Sequence, residues 1–333
     1  MAAMTEATDR TAAPNDVDEL RFDGEVALVT GAGHGLGRAH ALLLASRGAA
    51  VVVNDLGSPT MGGQDRDAGP AQAVADEIRE QGGTAVANSD SVATRQGAEA
   101  MVAQALAEFG QLDVLINNAG IIRNRTFLNI GEYELEPVFD VHVKGAFFVT
   151  RPAYEHMKTR ASGRIVNTSS GSGLFGSFGQ SAYAAAKAAI MGFTKTLAIE
   201  GARYGIAVNA IAPGALTRMT GDVLGDGSPA AERFGLTGDD LEDRVGPHQV
   251  APAVVYLAHR SCRLSGETLS ASGGRVGRAF VGITPGIYDE HLTPEVVAAR
   301  IDQICDESGY LVPTDVGQEI DLLLEFLGAD VDS

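Results

Sequence analysis

Thr30-Gly31-Ala32-Gly33-His34-Gly35-Leu36-Gly37 joins an apolar run, Val26–Thr30, to a helical pattern over 36–47. Glycine at alternate positions permits positive φ and lets the backbone approach a ligand closely. A helix starting there offers unpaired amides and the positive end of its dipole, which suit a pyrophosphate. In a chain with 41 glycines the cluster alone is a weak signal. Its place between a strand and a helix, at the start of a βαβ unit, points to a dinucleotide; the plain alternative is a tight turn.

Further along, short apolar runs alternate with helical patterns. Val26–Thr30, Ala50–Asn54, Thr84–Asn88, Asp113–Asn117, Arg164–Thr168 and Ile206–Ile211 read as buried strands. Helices are expected over 36–47, 70–81, 95–109, 132–158 and 181–203. This alternation predicts an α/β fold, a single Rossmann-type doubly wound parallel sheet with helices on both faces. Right-handed crossovers then place the ligand crevice at the carboxyl ends of the strands. Residues 1–21 are polar and alanine-rich and read as a mobile arm, 22–274 as the nucleotide-binding domain and 275–333 as a C-terminal extension. The connection 56–69 is long for a βα loop, either a surface loop or part of a cofactor rim.

Asp55 follows the second strand, about 20 residues beyond the glycines, where a carboxylate accepts from both ribose hydroxyls and repels a 2′-phosphate. No Arg directly follows Gly33 or Asp55, so NAD is favoured over NADP; a turn or helix-cap acid is the alternative. Asp90, after the third strand, is placed to hold the adenine amino group.

The chain has 333 residues, 43 acidic and 25 basic, for a formal net charge of -18. That balance argues against a nucleic-acid partner, which needs a basic footprint, and against adhesion to anionic membranes. Two cysteines, Cys262 and Cys305, make neither a disulfide framework nor a zinc site by themselves. No run of 18 apolar residues, no signal-peptide core and no C-terminal address is present, so no membrane insertion and a cytoplasmic location are expected.

Tyr183-Ala184-Ala185-Ala186-Lys187 sets a phenol and an amine on one helical face. An ammonium near a phenol favours phenolate, so Tyr183 becomes a usable acid/base toward an alcohol or carbonyl, with its pKa expected below the ordinary phenol value. Ser170, at the end of the fifth strand, is placed to bond the same substrate oxygen. The spacing alone decides nothing, because Tyr154-Glu155-His156-Met157-Lys158 repeats it. Tyr154 precedes a strand where Tyr183 follows one, and reads as a surface or packing residue.

These motifs, together with Asn117-Asn118-Ala119-Gly120, Pro213-Gly214 and Gly266-Glu267-Thr268, make residues 22–274 resemble the short-chain dehydrogenase/reductases. Val53-Asn54-Asp55-Leu56-Gly57, Ala87-Asn88-Ser89-Asp90-Ser91-Val92, Phe178-Gly179-Gln180 and Leu292-Thr293-Pro294-Glu295 narrow the likeness. They resemble the (3R)-hydroxyacyl-CoA dehydrogenase region of multifunctional enzyme type 2 and its free-standing bacterial relatives. The resemblance implies a catalytic set of Ser170, Tyr183 and Lys187. It implies NAD held by Gly31, Gly33, His34, Gly35, Leu36, Gly37, Asp55, Asp90, Ser91, Asn117, Ala119, Gly120, Tyr183, Lys187, Pro213, Gly214 and Thr217, and no metal. Where the family usually has an asparagine relaying protons to the lysine, this chain has His142, which either supports the relay or packs. The threonine expected after Pro213-Gly214 is Thr217 if one residue is deleted; otherwise Arg218 takes that slot.

By resemblance the activity is NAD-dependent oxidation of a secondary alcohol, with an acyl-CoA as small-molecule substrate. Helices 132–158 and 181–203 would form a homodimer or homotetramer interface. A free hydroxysteroid or other secondary-alcohol dehydrogenase and a non-catalytic NAD-binding regulator are the competing readings. A CoA thioester requires a local cationic patch on this acidic chain; Arg123, Arg125, Arg218, Arg275 and Arg278 are the candidates.

Overall fold

A computed structural model of the protein describes residues 18–59, 61–62, 67–220 and 237–327. Most of the expected arm, part of the 56–69 connection and the terminal Asp330-Val331-Asp332-Ser333 lie outside the described residues.

All five residues of β1 (Val26–Thr30) are buried. Ala27 and Val29 enter one core, Val26 and Leu28 the other, as a strand with period-two side chains must when both faces are covered. The chain continues through α1 (Gly35–Ser46), β2 (Ala50–Asn54), α2 (Gly69–Glu80), β3 (Thr84–Asn88), α3 (Arg95–Phe109) and β4 (Val114–Asn117). Local chemistry sets the limits of α3. Thr94 Oγ1 accepts from the Gly97 amide at 3.1 Å, and Gly110 closes the helix at φ 79°.

The second half comprises α4 (Glu132–Phe139), α5 (Gly145–Arg160), β5 (Gly163–Thr168), α6 (Gly171–Phe175), α7 (Ser181–Gly201) and β6 (Ile206–Gly214). After α8 (Gly238–Val245) and α9 (Ala251–Ala258), β7 (Thr268–Ser272) and β8 (Arg275–Ala279) complete the sheet. Its order is β3-β2-β1-β4-β5-β6-β7-β8. Every pairing is parallel except β7 with β8. One core packs Leu44 of α1, Ile78 of α2 and Leu257 of α9 under the sheet. The other packs Met101 of α3 and Met157 of α5 on the opposite face. The sheet is therefore doubly wound, and its order reverses between β1 and β4, which opens a crevice at their carboxyl ends.

Three elements differ from the periodicity. The helix expected over 132–158 is interrupted by a π turn, Asp140–Lys144, in which the Gly145 amide reaches back to the Asp140 carbonyl. The sixth strand runs on to Gly214 because Pro213 and Gly214 find partners in Ala271 and Ser272 of β7. Strands β7 and β8 carry no continuous apolar run, since they lie toward the sheet's edge and are only partly covered. Beyond β8 the chain packs largely on itself. Phe280 stacks on Tyr310 with centroids 5.8 Å apart, and Ile283 bridges Leu311.

Among the described residues no helix is long and apolar enough to cross a membrane, and no cluster of side chains could hold a metal ion. Cys262 and Cys305 are both free.

Leu115 is fully buried in the middle of β4. Leu115→Ala is expected to cost about 2–5 kcal/mol through lost burial plus residual cavity. Urea denaturation should show this as a lower midpoint with an unchanged slope.

Candidate active site

The glycine turn is clamped from the neighbouring strand end. Thr30 Oγ1 accepts from the amides of Asn118 and Ala119 at 3.0 and 3.1 Å. Asn118 Nδ2 donates to the carbonyls of Thr30 and Gly31 at 2.9 and 3.0 Å. Gly31 has φ 63°, and a Cβ there would lie 2.7 Å from Ala119 Cα, so position 31 needs glycine on both counts. A Cβ on Gly37 would come within 2.2 Å of the Gly31 carbonyl. Beyond the turn, α1 has no side-chain cap, which leaves its first-turn amides for a ligand.

One cleft runs along the carboxyl ends of the strands. It is lined by Gly31, His34, Gly35, Leu36, Gly37, Asp55, Asp90, Ser91, Ala119, Gly120, His142, Ser170, Tyr183, Lys187, Pro213 and Thr217. Gly33, Asn117 and Gly214, expected with them, lie outside the lining. The Gly33 amide donates to Asp55 Oδ2 at 2.8 Å, so Gly33 holds the acid in place. Asn117 Nδ2 is buried in a network with Thr150 Oγ1 and Asn167 Oδ1, each at 2.8 Å, and its amide is used up inside the fold. Gly214 backs onto Ser272, whose Oγ would be 2.8 Å from a Cβ at 214.

Asp55 is pinned at both oxygens, by the amides of Gly33 and Gly57 at 2.8 Å. A carboxylate has about four lone-pair sites, so acceptor capacity remains for ribose hydroxyls. These glycines, the uncapped helix start and the anchored acid fit the phosphate and ribose of a dinucleotide at this end of the cleft.

At the other end of the cleft, Ser170 follows β5 and caps α6, its Oγ accepting from the Ser172 amide at 3.2 Å. Tyr183 stands in the first turn of α7, where the Ser170 side chain is near enough to act on its phenol. Lys187 is 3% exposed; its Nζ donates to the Thr168 carbonyl at 2.7 Å and lies 5.6 Å from the Tyr183 ring centroid. His142 projects from the π turn and meets the Tyr183 ring edge-on, with centroids 5.3 Å apart. A Cβ on Gly120 would sit 2.5 Å from His142 Cε1, so the glycine makes room for the imidazole.

The electrostatics differ from the expectation for the tyrosine. Burial pushes Lys187 down from 10.5 to about 7. Burial also pushes the Tyr183 phenol above 10.0, and the Ser170 bond opposes this only in part. Both charged forms are disfavoured because both groups are removed from water. Burial and then the nearby Lys187 hold His142 well below the usual imidazole range, so its ring is neutral.

Tyr154 lies on α5 and packs against the second core, with its hydroxyl buried. Thr217 lines the cleft opposite Gly35, its methyl 3.5 Å from where a Gly35 Cβ would be, and Arg218 lines the same cleft. Both candidates for that slot therefore reach the crevice. The structure adds Asn118, whose role was not legible, because neighbours at a strand end point to opposite sides and two asparagines stand together. It also adds Thr168, which carries no motif.

A family model described as "short chain dehydrogenase" matches residues 25–225. The chain belongs to the short-chain dehydrogenase family. Relatives of known name lie within this family of oxidoreductases acting on CH–OH groups. Peroxisomal multifunctional enzyme type 2 of Mus musculus is 43% identical over 312 residues, which cover 92% of this chain and 40% of that protein. The chain thus spans well under half of the mouse relative. Hydroxyacyl-CoA dehydrogenase ChsB1 of Mycobacterium tuberculosis is 38% identical over 282 residues, 81% of this chain and 84% of that one. A crystal structure of a short chain dehydrogenase from Mycobacterium avium superposes with a TM-score of 0.70 at 38% identity, covering 85% of this chain and 95% of that one.

The depressed Lys187 has a consequence for stability. Between about pH 7 and 10.5 the unfolded chain carries a proton on this amine that the folded chain does not. The group therefore makes stability rise with pH across that window, and this contribution is lost as the pH falls. Urea midpoints at pH 7, 8 and 9 should rise more steeply for the wild type than for Lys187→Met; parallel slopes would contradict the assignment.

Proposed function

We propose that the protein is an NAD-dependent oxidoreductase that oxidises a secondary alcohol to a ketone, with a 3-hydroxyacyl-CoA of fatty-acyl or steroid side-chain type as substrate. The observation that carries this reading is the convergence of Ser170, Tyr183 and Lys187 on the cleft that begins at the glycine turn. A protein that only bound the nucleotide would need the turn and Asp55, but not a serine–tyrosine–lysine set beyond them.

When bound, NAD supplies the hydride acceptor. The chain's own residues orient the alcohol and move its proton. Ser170 Oγ and Tyr183 Oη would hold the substrate oxygen, and Tyr183, as the phenolate, would accept the hydroxyl proton as the carbonyl forms. Lys187 would hold the nicotinamide ribose and serve as the next proton station. Because burial raises the phenol, alcohol oxidation quickens as the pH rises, while ketone reduction, which needs the protonated phenol, slows.

The choice of NAD rests on Asp55, whose charge opposes a 2′-phosphate. The acyl-CoA choice rests on the likeness to the mycobacterial relative. The arginine patch gives it narrower support. Arg123 is 8% exposed, donates to the Met61 carbonyl and lies over the Tyr133 ring. Arg125 pairs with Glu134 and Arg278 with Glu267. Arg218 is the candidate that lines the cleft. For self-association, Phe147 of α5 is half exposed and stacks on Phe193 of α7 at 4.1 Å, a surface suited to a second copy.

Tyr183→Phe is expected to lower kcat/KM by at least about 10²-fold while leaving NAD affinity intact, as stopped-flow and fluorescence titration would measure. Near-normal turnover would sink the assignment. Asp55→Ala should raise kcat/KM with NADP relative to NAD. A panel of 3-hydroxyacyl-CoA esters and free hydroxysteroids, compared by kcat/KM, tests the substrate; preference for the free steroid would overturn the thioester.

A further inference from the structure

Two asparagines end β2 and β3 beneath the Asp55 end of the cleft. Asn54 and Asn88 are paired in register and are 1% and 7% exposed. Asn54 Nδ2 donates to Asn88 Oδ1 at 2.7 Å and to the Asp90 carbonyl at 2.9 Å. Asn88 Oδ1 also accepts from the Asp90 amide at 2.9 Å. Asn88 Nδ2 donates to Asp90 Oδ2 at 2.9 Å and to Gln104 Oε1 of α3 at 2.8 Å. Gln104 Nε2 in turn donates to the Ala87 carbonyl at 3.0 Å. Asp90 is thus held at its amide, its carbonyl and one carboxylate oxygen. A strand pair can be buried with apolar residues at such positions, so a polar network there specifies a geometry more than it adds stability.

We propose that Asn88 and Gln104 are positioning residues that aim the Asp90 carboxylate at the amino group of the cofactor's adenine, and that they thereby set the base specificity of the nucleotide site. The inference rests on the proposed reading of the nucleotide as NAD with Asp55 on its adenosine ribose.

The network has a single polarity. A backbone carbonyl only accepts and a backbone amide only donates. The Ala87 carbonyl takes the NH2 of Gln104, which turns Oε1 toward Asn88. Asn88 then presents its NH2 to Gln104 and to Asp90 Oδ2, and its oxygen to the Asp90 amide and to Asn54. Both N–H groups and both lone pairs of the Asn88 side chain are used. Reversing that amide would set its NH2 against two donors and its oxygen against a carboxylate. Gln104 therefore locks Asn88, and Asn88 locks Asp90.

The position of Asp90 gives the lock its purpose. Asp55 and Asp90 line the same cleft, whereas Asn88 and Gln104 do not. From the crevice the sheet runs outward β1, β2, β3, so the acid after β3 lies one strand farther out than the acid after β2. With Asp55 on the ribose, Asp90 faces the base. The Asp55 amide donates to the Asn88 carbonyl at 3.0 Å, so the two acids are fixed to one frame. An ionised carboxylate only accepts, and it has about four lone-pair sites, one of them used by Asn88. It attracts the amino group of adenine and repels the carbonyl that hypoxanthine carries at the same carbon. A carboxylate free to rotate into water would lose that discrimination.

Nicotinamide hypoxanthine dinucleotide differs from NAD at that group alone. Calorimetric titration of the full chain with each dinucleotide reads the ratio of the two Kd values. The wild type should favour NAD by about tenfold or more, the size of one charge-assisted hydrogen bond. Asn88→Asp keeps the size of the side chain but sets an oxygen against Asp90, and should narrow the ratio to about threefold or less. If that variant does not fold, Gln104→Met decides by the same ratio, at a partly exposed position on α3. An unchanged ratio would overturn the proposal. So would an equal loss of affinity for both dinucleotides, which marks a merely structural role. A wild type that binds both dinucleotides equally would overturn the inference and leave the NAD reading standing, whereas a wild type that binds neither would overturn both.

Discussion

Lys187 is buried with its amine on the Thr168 carbonyl, and the surrounding design follows from the difficulty of keeping a charge there. Removal from water brings its pKa to the middle of the physiological range, where a small change in surroundings changes its charge. The same removal raises the phenol one turn away. A tyrosine and a lysine on one helical face thus form a pair whose protonation depends on whatever enters the cleft in front and on the polar atoms behind. Neither group is tuned by a fixed counter-charge.

The opposite end of the cleft works by geometry. Thr30 and Asn118 tie the ends of β1 and β4 together at the point where the sheet order reverses. That tie fixes the glycine turn, and Gly33 and Gly57 fix Asp55. The nucleotide end is therefore rigid and assembled mainly from backbone. The reacting end is assembled from side chains on β5, α7 and the π turn. His142 joins them only because one extra residue in the turn directs a buried imidazole at Tyr183, and because Gly120 leaves room for it.

The central strands were readable because strands buried on both faces must be nearly continuously apolar, as β1 and β4 are up to their last residues, Thr30 and Asn117. Strands β7 and β8, at one side of the sheet, were not, because partial exposure removes that requirement. Ser170, Tyr183, Lys187 and Asp55 were legible because their chemistry demands those side chains at those places relative to strands. Asn117 illustrates the limit: its motif suggested the cofactor, yet its amide faces the interior. The five arginines show the same limit for charge. Composition counts cations, but only packing shows that Arg123 is buried and that Arg125 and Arg278 are paired.

By itself the sequence determined the alternation of strands and helices, the glycine turn with its acid, and which tyrosine of two stands after a strand. These depend on periodicity and on contacts close along the chain. Tertiary structure decided the rest: the π turn that places His142, the clamp made by Asn118 and the inward turn of Asn117. Each depends on groups distant along the chain meeting at a definite angle, as Asn118 meets Thr30 across 88 residues. The direction of the tyrosine's pKa belongs with them, since it follows from burial and burial is a property of the packed whole.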